Sequence, residues 1–199
     1  MQLTYPQAPA GAVQQLRPAL QAALQTQGFG INRAFARARA SSLNLSQGFR
    51  GYALSLDDLA NGAGLAQARA ADWHYLVFAG GVSIADAQLS EVAGHLEFSA
   101  LNHGALAAST ISALNLAEQA PALQGQSCEL RLLFVAALQV TALWLHGADS
   151  DVLIPIEPVP GNLAAQQLYS EAALLGVLVP AARQAKALFD ADSSGTLGG

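Results

Sequence analysis

The chain has 199 residues, of which 52% are hydrophobic and only 12% are charged, and its net charge is −5. This length predicts one domain with one substantial core. A single lysine among nine basic residues argues against a nucleic-acid partner, because phosphate backbones are bound through many Lys and Arg contacts. The low charge favours self-association, since few charges lose water when two copies meet.

The first forty residues predict one helix followed by a basic cluster. Apolar residues recur at helical spacing over residues 13–24, and Gly28 is well placed to end the helix. Arg33, Arg37 and Arg39 follow, and the first two would share a helical face. We interpret this cluster as a solvated surface, with an anionic ligand or partner as the alternative.

The next stretch predicts a strand and a short helical turn. Residues 50–56 alternate between apolar and small or polar side chains, which is typical of a strand. Ser55 and Asp58 have the spacing of a capping box, and Asn61-Gly62 would end the turn that it starts. Residues 65–70 are expected to continue as helix.

The segment "YLVFAGGVSIADAQL" predicts a strand, a glycine turn and a helix. Residues 75–78 form an apolar run typical of a strand buried on both faces, and Ser83 with Asp86 suggests a capping box. Gly80 and Gly81 would then precede a helix N-terminus, where backbone amides can hold an anion. A tight turn explains both glycines without a ligand, because the third glycine of a dinucleotide site and the lysine of a P-loop are missing.

The second half of the chain predicts a short strand at "HLEF", a helix, three strands and a last helix. Asn102 would cap the first of these helices, which should end before Pro121. The segments "CELRLLFVA", "LQVTALWLH" and "VLIPI" are expected to be neighbouring strands, with Pro155 at an edge or beside a bulge. Ser170 would cap the last helix, which Pro180 should kink or restart.

This order of elements predicts an α+β fold with a mixed, largely antiparallel sheet covered by helices, and α/β is the alternative. Helices that alternate with strands indicate crossover units, whereas three consecutive strands with short turns indicate a meander. We expect one globular domain over residues 1–189 and a flexible tail over residues 190–199.

The closing residues resemble the first half of an EF-hand calcium loop. Asp190, Asp192 and Ser194 occupy its first, third and fifth positions, and Gly195 its sixth. The bidentate Glu at the twelfth position and the outgoing helix would lie beyond Gly199. We therefore expect a polar tail, and neither a metal site nor a cofactor.

Four histidines are present, at positions 74, 95, 103 and 146, and no pair has the spacing of a helical zinc site. His146 ends an apolar strand, with Asp149 and Asp151 in the turn that follows, and His103 stands at a predicted helix start. Together they would form a general base or part of a metal site. The alternative is isolated surface histidines and turn-forming aspartates.

No catalytic motif is complete in the sequence. The segment GxSxG is absent, and the single cysteine, Cys128, has no adjacent histidine and is expected in the core. The N-terminus lacks signal-peptide features, so we expect a cytoplasmic protein with no membrane or nucleic-acid partner. We predict a non-catalytic protein that acts through protein contacts. Its expected partner is a second copy of itself, and an unidentified second protein is the other option. The alternative is an enzyme or small-ligand binder with a cleft near His103, His146, Asp149 and Asp151.

Overall fold

The computed structural model describes residues 1–25, 42–103 and 105–192. Within these ranges it has four α-helices and one ten-stranded sheet, which confirms the predicted α+β class. The helices are α1 (Ala12–Gln25), α2 (Leu56–Ala60), α3 (Ala105–Gln119) and α4 (Glu171–Asp192). The strands are β1 (Gln2–Thr4), β2 (Leu43–Leu45), β3 (Phe49–Ala53), β4 (Arg69–Ala79), β5 (Val82–Val92), β6 (His95–His103), β7 (Ser127–Val135), β8 (Val140–His146), β9 (Asp151–Ile156) and β10 (Tyr169–Ser170).

The sheet is mixed and mostly antiparallel, as predicted. Its strand order is β10-β9-β8-β7-β3-β4-β5-β6, with β1 also beside β7 and β2 also beside β4. Only the pairs β1–β7 and β3–β7 are parallel among the described strands. The predicted meander is the run β7–β8–β9, which short turns connect.

The sheet has helices on both faces. The front face carries Trp73 and Trp144; α1 packs on it over β4 and β5, and α2 with α4 packs on it over β7 to β9. The back face carries Leu132 and Leu143, on which α3 packs. The central strands are therefore buried on both sides, which explains their continuous apolar runs.

Two predicted helix starts are confirmed by their caps. The Ser55 hydroxyl accepts a hydrogen bond from the Asp58 backbone N–H at 3.1 Å, at the start of α2. The Ser170 hydroxyl accepts one from the Ala173 N–H at 3.2 Å, at the start of α4. Pro18 and Pro180 both lie inside helices.

The predicted helix after Gly81 is wrong, because strand β5 occupies this segment. Gly80 and Gly81 have φ values of +57° and +82° and form the turn of the β4–β5 hairpin. Pairing with β4 and β6 overrides the local capping pattern of Ser83 and Asp86. Gly80 and Gly81, the weak candidates for an anion site, therefore precede no helix N-terminus, and the alternative interpretation of a tight turn fits the structure.

Two other boundaries differ from the prediction. The helix expected over residues 65–70 is a single 3-10 turn at Leu65–Gln67, after which β4 begins. Helix α4 continues to Asp192, so that Asp190 and Asp192 belong to a helix and not to a loop. Lys186 Nζ lies 3.7 Å from Asp190 Oδ2.

Several predicted features lie outside the described residues: Gly28, Arg33, Arg37, Arg39, Ser194 and Gly195.

Pro155 lies in β9, beside the short edge strand β10. Strand β10 pairs only with Val152 and Leu153, so none of the described strands flanks Pro155 on that outer side. Its carbonyl accepts a hydrogen bond from the Gln166 N–H at 2.9 Å, outside the ladder with β8. A proline is tolerated here because its missing N–H interrupts no pairing.

Candidate functional site

A buried histidine–aspartate pair lies on the back face, on strands β4 and β5. His74 and Asp86 are each 1% exposed. His74 Nδ1 lies 3.0 Å from Asp86 Oδ2 and 3.2 Å from Oδ1, and Gln88 Nε2 donates to Oδ2 at 2.9 Å. An ionised carboxylate can only accept, so Nδ1 carries the proton and Nε2 has a free lone pair when the ring is neutral.

The imidazole of His74 is held rigidly. It stacks between Phe49 and Phe134, with ring centroids 5.7 Å and 5.4 Å away and interplanar angles of 23°. Gly51 packs against it, because a Cβ at this position would lie 2.9 Å from Nε2. Both hydrogen bonds of the ring go from Nδ1 to Asp86, and no described residue bonds to Nε2.

A cavity of about 180 Å³ opens beside this histidine. Its lining consists of Ala53, Ala71, Asp72, His74, Gln88 and Phe134. The Asp72 carboxylate is fixed by two hydroxyls, since Ser90 and Ser99 each donate a hydrogen bond of 2.9 Å to it. A second, mainly apolar cavity of about 420 Å³ shares Ala53 and Phe134 with the first.

The predicted pair of His146 and Asp151 is brought together on the front face. His146 Nδ1 lies 2.7 Å from Asp151 Oδ1, and Trp144 Nε1 donates to the same oxygen at 2.8 Å. Asp151 is the first residue of β9, whereas Asp149 is exposed in the turn. A cavity of about 280 Å³ at this turn is lined by Asp149 but by neither member of the pair.

His103 does not join the other predicted residues. It ends β6, which is five strands from β8 in the sheet order. At the usual strand spacing of about 4.8 Å, β6 and β8 are separated by about 24 Å along the sheet. Within the described ranges, no three His, Cys, Asp or Glu residues are grouped so that they could hold a metal ion.

Arginine side chains on the front face are already engaged. Arg50 and Arg131 are paired neighbours on β3 and β7. Arg50 lies 3.4 Å from Glu91 Oε2 and stacks over Trp73, and Arg131 lies 2.6 Å from Glu129 Oε1. Each of these two guanidinium groups therefore has a carboxylate partner. Arg50 and Arg131 thus provide no unpaired positive charge for an anion.

Helix α4 carries an apolar stripe that extends beyond its packing partners. Leu174, Leu178 and Ala182 are buried against the sheet, whereas Leu188 and Phe189 are 66% and 69% exposed. Over Glu171–Ala191 the helix is long and apolar enough to cross a membrane, and 17% of its most apolar window is buried. A single helix of this kind is weak evidence for a membrane span.

A further cavity, of about 500 Å³, lies between residues 5–14 and 46–48. Tyr75 lines it, and this side chain is only 2% exposed. Its hydroxyl has no hydrogen-bond partner within the described part of the chain. Gly48 is required beside it, because a Cβ there would lie 2.7 Å from the tyrosine oxygen.

Reasoning from the sequence missed the pair of His74 and Asp86. The spacing of Ser83 and Asp86 predicts a helix cap, which would place Asp86 away from β4. The Gly80-Gly81 dipeptide between two apolar segments was the available signal, because such pairs form two-residue hairpin turns. A hairpin at this turn sets Asp86 opposite Leu76 and Gln88 opposite His74.

No protein family, curated protein or solved structure matches the chain.

Proposed function

We propose that this protein is non-catalytic and acts through protein contacts, first of all with a second copy of itself, through the C-terminal half of α4. The observation that carries this proposal is the exposure of Leu188 and Phe189 at the end of a stripe that is otherwise buried. Each would contribute about 1.5–3 kcal/mol on full burial. A second copy supplies that burial.

The residues beside the stripe favour an antiparallel pair of α4 helices. Ala181 and Ala185 precede Leu188 and Phe189, so the large side chains of one copy would face the small ones of the other. A two-fold contact uses the same surface on both copies and needs no second binding patch.

The basic residues near the stripe do not oppose this contact. Lys186 Nζ lies 2.5 Å from Asp57 Oδ1, and Arg183 Nε donates to the Ala60 carbonyl at 3.1 Å. Both side chains are thus directed at α2. Few charges would lose water when two such surfaces meet.

Light scattering coupled to size exclusion at about 100 μM tests the proposal, because a protein–protein Kd of micromolar order then gives mostly dimer. We expect the wild type to elute as a dimer and the double variant Leu188→Gln, Phe189→Gln as a monomer. The matched control is Val82→Gln, which changes a side chain that is 61% exposed at the distant β4–β5 turn.

A monomeric wild type, or an equal effect of the control, would contradict the proposal. Flotation with lipid vesicles separates the membrane alternative: a wild type that is monomeric in buffer and floats with vesicles would assign α4 to lipid instead.

The alternative function, a cleft that unites all four predicted residues, has less support. His146 and Asp151 share a hydrogen bond, but His103 lies about five strand spacings away. A cytoplasmic location and the absence of a nucleic-acid partner stay predictions.

A further inference from the structure

We propose that the cavity beside His74 binds the primary ammonium group of a small amine. This inference is independent of self-association, because the cavity lies on the back face and α4 packs on the front face. It rests on a buried histidine whose Nε2 has no hydrogen-bond partner among the described residues, on the acceptors that line the cavity and on the charge of that lining.

The polar side chains that line the cavity offer acceptors. When the ring is neutral, His74 Nε2 carries a lone pair, because Nδ1 donates to Asp86. The Gln88 amide uses its Nε2 to donate to Asp86, which leaves its carbonyl oxygen as an acceptor. Asp72 accepts one hydroxyl on each oxygen and retains a lone pair on both. An ammonium group has three N–H donors and no acceptor, so it complements this set.

The charges favour a cation. The Asp72 carboxylate lines the cavity, and the Asp86 carboxylate lies behind it, bonded to His74 Nδ1. Among the described residues, neither Lys nor Arg lines this cavity. The Phe134 ring forms one wall, and an aromatic face attracts an ammonium group. The half-buried Asp72 carboxylate has only the neutral hydroxyls of Ser90 and Ser99 as described hydrogen-bond partners, so a bound cation would stabilise the site.

The adjoining cavity defines the rest of the ligand. Its lining is mainly apolar, and it shares Ala53 and Phe134 with the first cavity. Its charged lining residue is Arg69, whose guanidinium lies 3.7 Å from Asp58 Oδ2. An amine with a short hydrocarbon or aromatic tail fits this arrangement, with the ammonium beside His74 and the tail over residues 53–56 and 136–137. Free ammonium ion would fill only the polar part.

Calorimetry with three probes of the same shape tests the ligand class: 2-phenylethylammonium, 2-phenylethanol and phenylacetate, at about pH 8, where the amine is charged and an ordinary histidine neutral. We expect the ammonium probe to bind at least about tenfold more tightly than the alcohol, since it makes charge-assisted hydrogen bonds. We expect no binding of phenylacetate. Equal affinity for all three, or no saturable binding of the amine up to about 10 mM, which corresponds to less than about 3 kcal/mol, would overturn the proposal.

Two matched variants locate the site. Asp72→Asn keeps the size of the side chain and removes its charge, so the amine should bind about tenfold more weakly. His146→Gln is the control. His146 also has an aspartate partner, Asp151, but neither residue lines this cavity. The affinity of this variant for the amine should equal that of the wild type. Equal affinity of the Asp72→Asn variant would place the amine elsewhere.

A measurement on the wild type covers the case in which Asp72→Asn does not fold. In ¹⁵N-histidine NMR spectra, bound amine should shift the Nε2 resonance of His74 and leave that of His146 unchanged. An unshifted His74 resonance at saturating amine would overturn the proposal.

Discussion

At the scale of single residues, Tyr75 is one of three described residues with a buried side-chain polar atom that has no described partner, with Trp73 and Ser83. Its hydroxyl is buried and has no partner among the described residues, although a buried polar group usually finds one. Burial raises the pKa of this hydroxyl. The unpaired hydroxyl therefore destabilises the folded state. It lies beside the cavity of about 500 Å³ that residues 5–14 and 46–48 line.

Tyr75→Phe removes that cost. We expect the variant to be as stable as the wild type or more stable by up to about 1 kcal/mol, because no hydrogen bond is lost and an unpaired buried group disappears. Urea unfolding measures the difference. Tyr169→Phe is the control: its oxygen accepts the Ala164 N–H at 3.1 Å, so this change should cost about 0.5–1.5 kcal/mol. A loss as large in Tyr75→Phe would show that its hydroxyl has a partner.

At the scale of elements, β5 shows where local sequence signals stop being decisive. Ile84, Ala85 and Ala87 are all buried, because α1 covers one face of β5 and α3 contacts the other. A strand buried on both faces has no alternation between apolar and polar residues, so its periodicity does not distinguish it from a helix. The Ser83–Asp86 spacing then favoured a cap that the sheet overrides.

Strand β7 is the element on which the sheet depends most. It pairs with β8 on one side and with β1 and β3 on the other, and Leu133 is fully buried under α4. We expect Leu133→Ala to cost about 2–5 kcal/mol, since it leaves a cavity in close-packed core.

Chemical denaturation of Leu133→Ala checks this value. Val82→Ala is the control, because its side chain is 61% exposed and the change should cost less than about 0.5 kcal/mol. A loss below about 1 kcal/mol for Leu133→Ala would mean that β7 is not central.

At the scale of the whole molecule, a charge-poor chain has buried several weak acids. Burial raises the pKa of the Cys128 thiol and those of the Tyr5 and Tyr75 hydroxyls. Each group thus keeps its proton longer in the folded state than in the unfolded state. The stability of the molecule must therefore depend on pH in the alkaline range.

We expect the free energy of unfolding to fall as pH rises above about 9, where an unfolded thiol loses its proton, and further above about 10 for the tyrosines. The sign follows because the unfolded state then binds fewer protons than the folded state. Urea unfolding at a series of pH values measures it. In Cys128→Ala the first part of the fall should be absent; an unchanged profile would contradict this assignment.

The sequence alone determined the features that depend on neighbouring residues. Apolar spacing located α1, the caps at Ser55 and Ser170 located α2 and α4, and apolar runs located β7 and β8. The short turn after His146 made its contact with Asp151 predictable, because both lie in one hairpin.

Only the tertiary structure decided what depends on pairing between distant segments. It made β5 a strand, since the energy of two ladders and two covering helices exceeds that of one helix cap. Strand pairing placed Asp86 beside His74, and it stacked Phe134, sixty residues further along the chain, on the His74 ring. The strand order also separated His103 from His146. Sequence spacing carries no information about such contacts, because sheet order and register are set by the packing of the whole core.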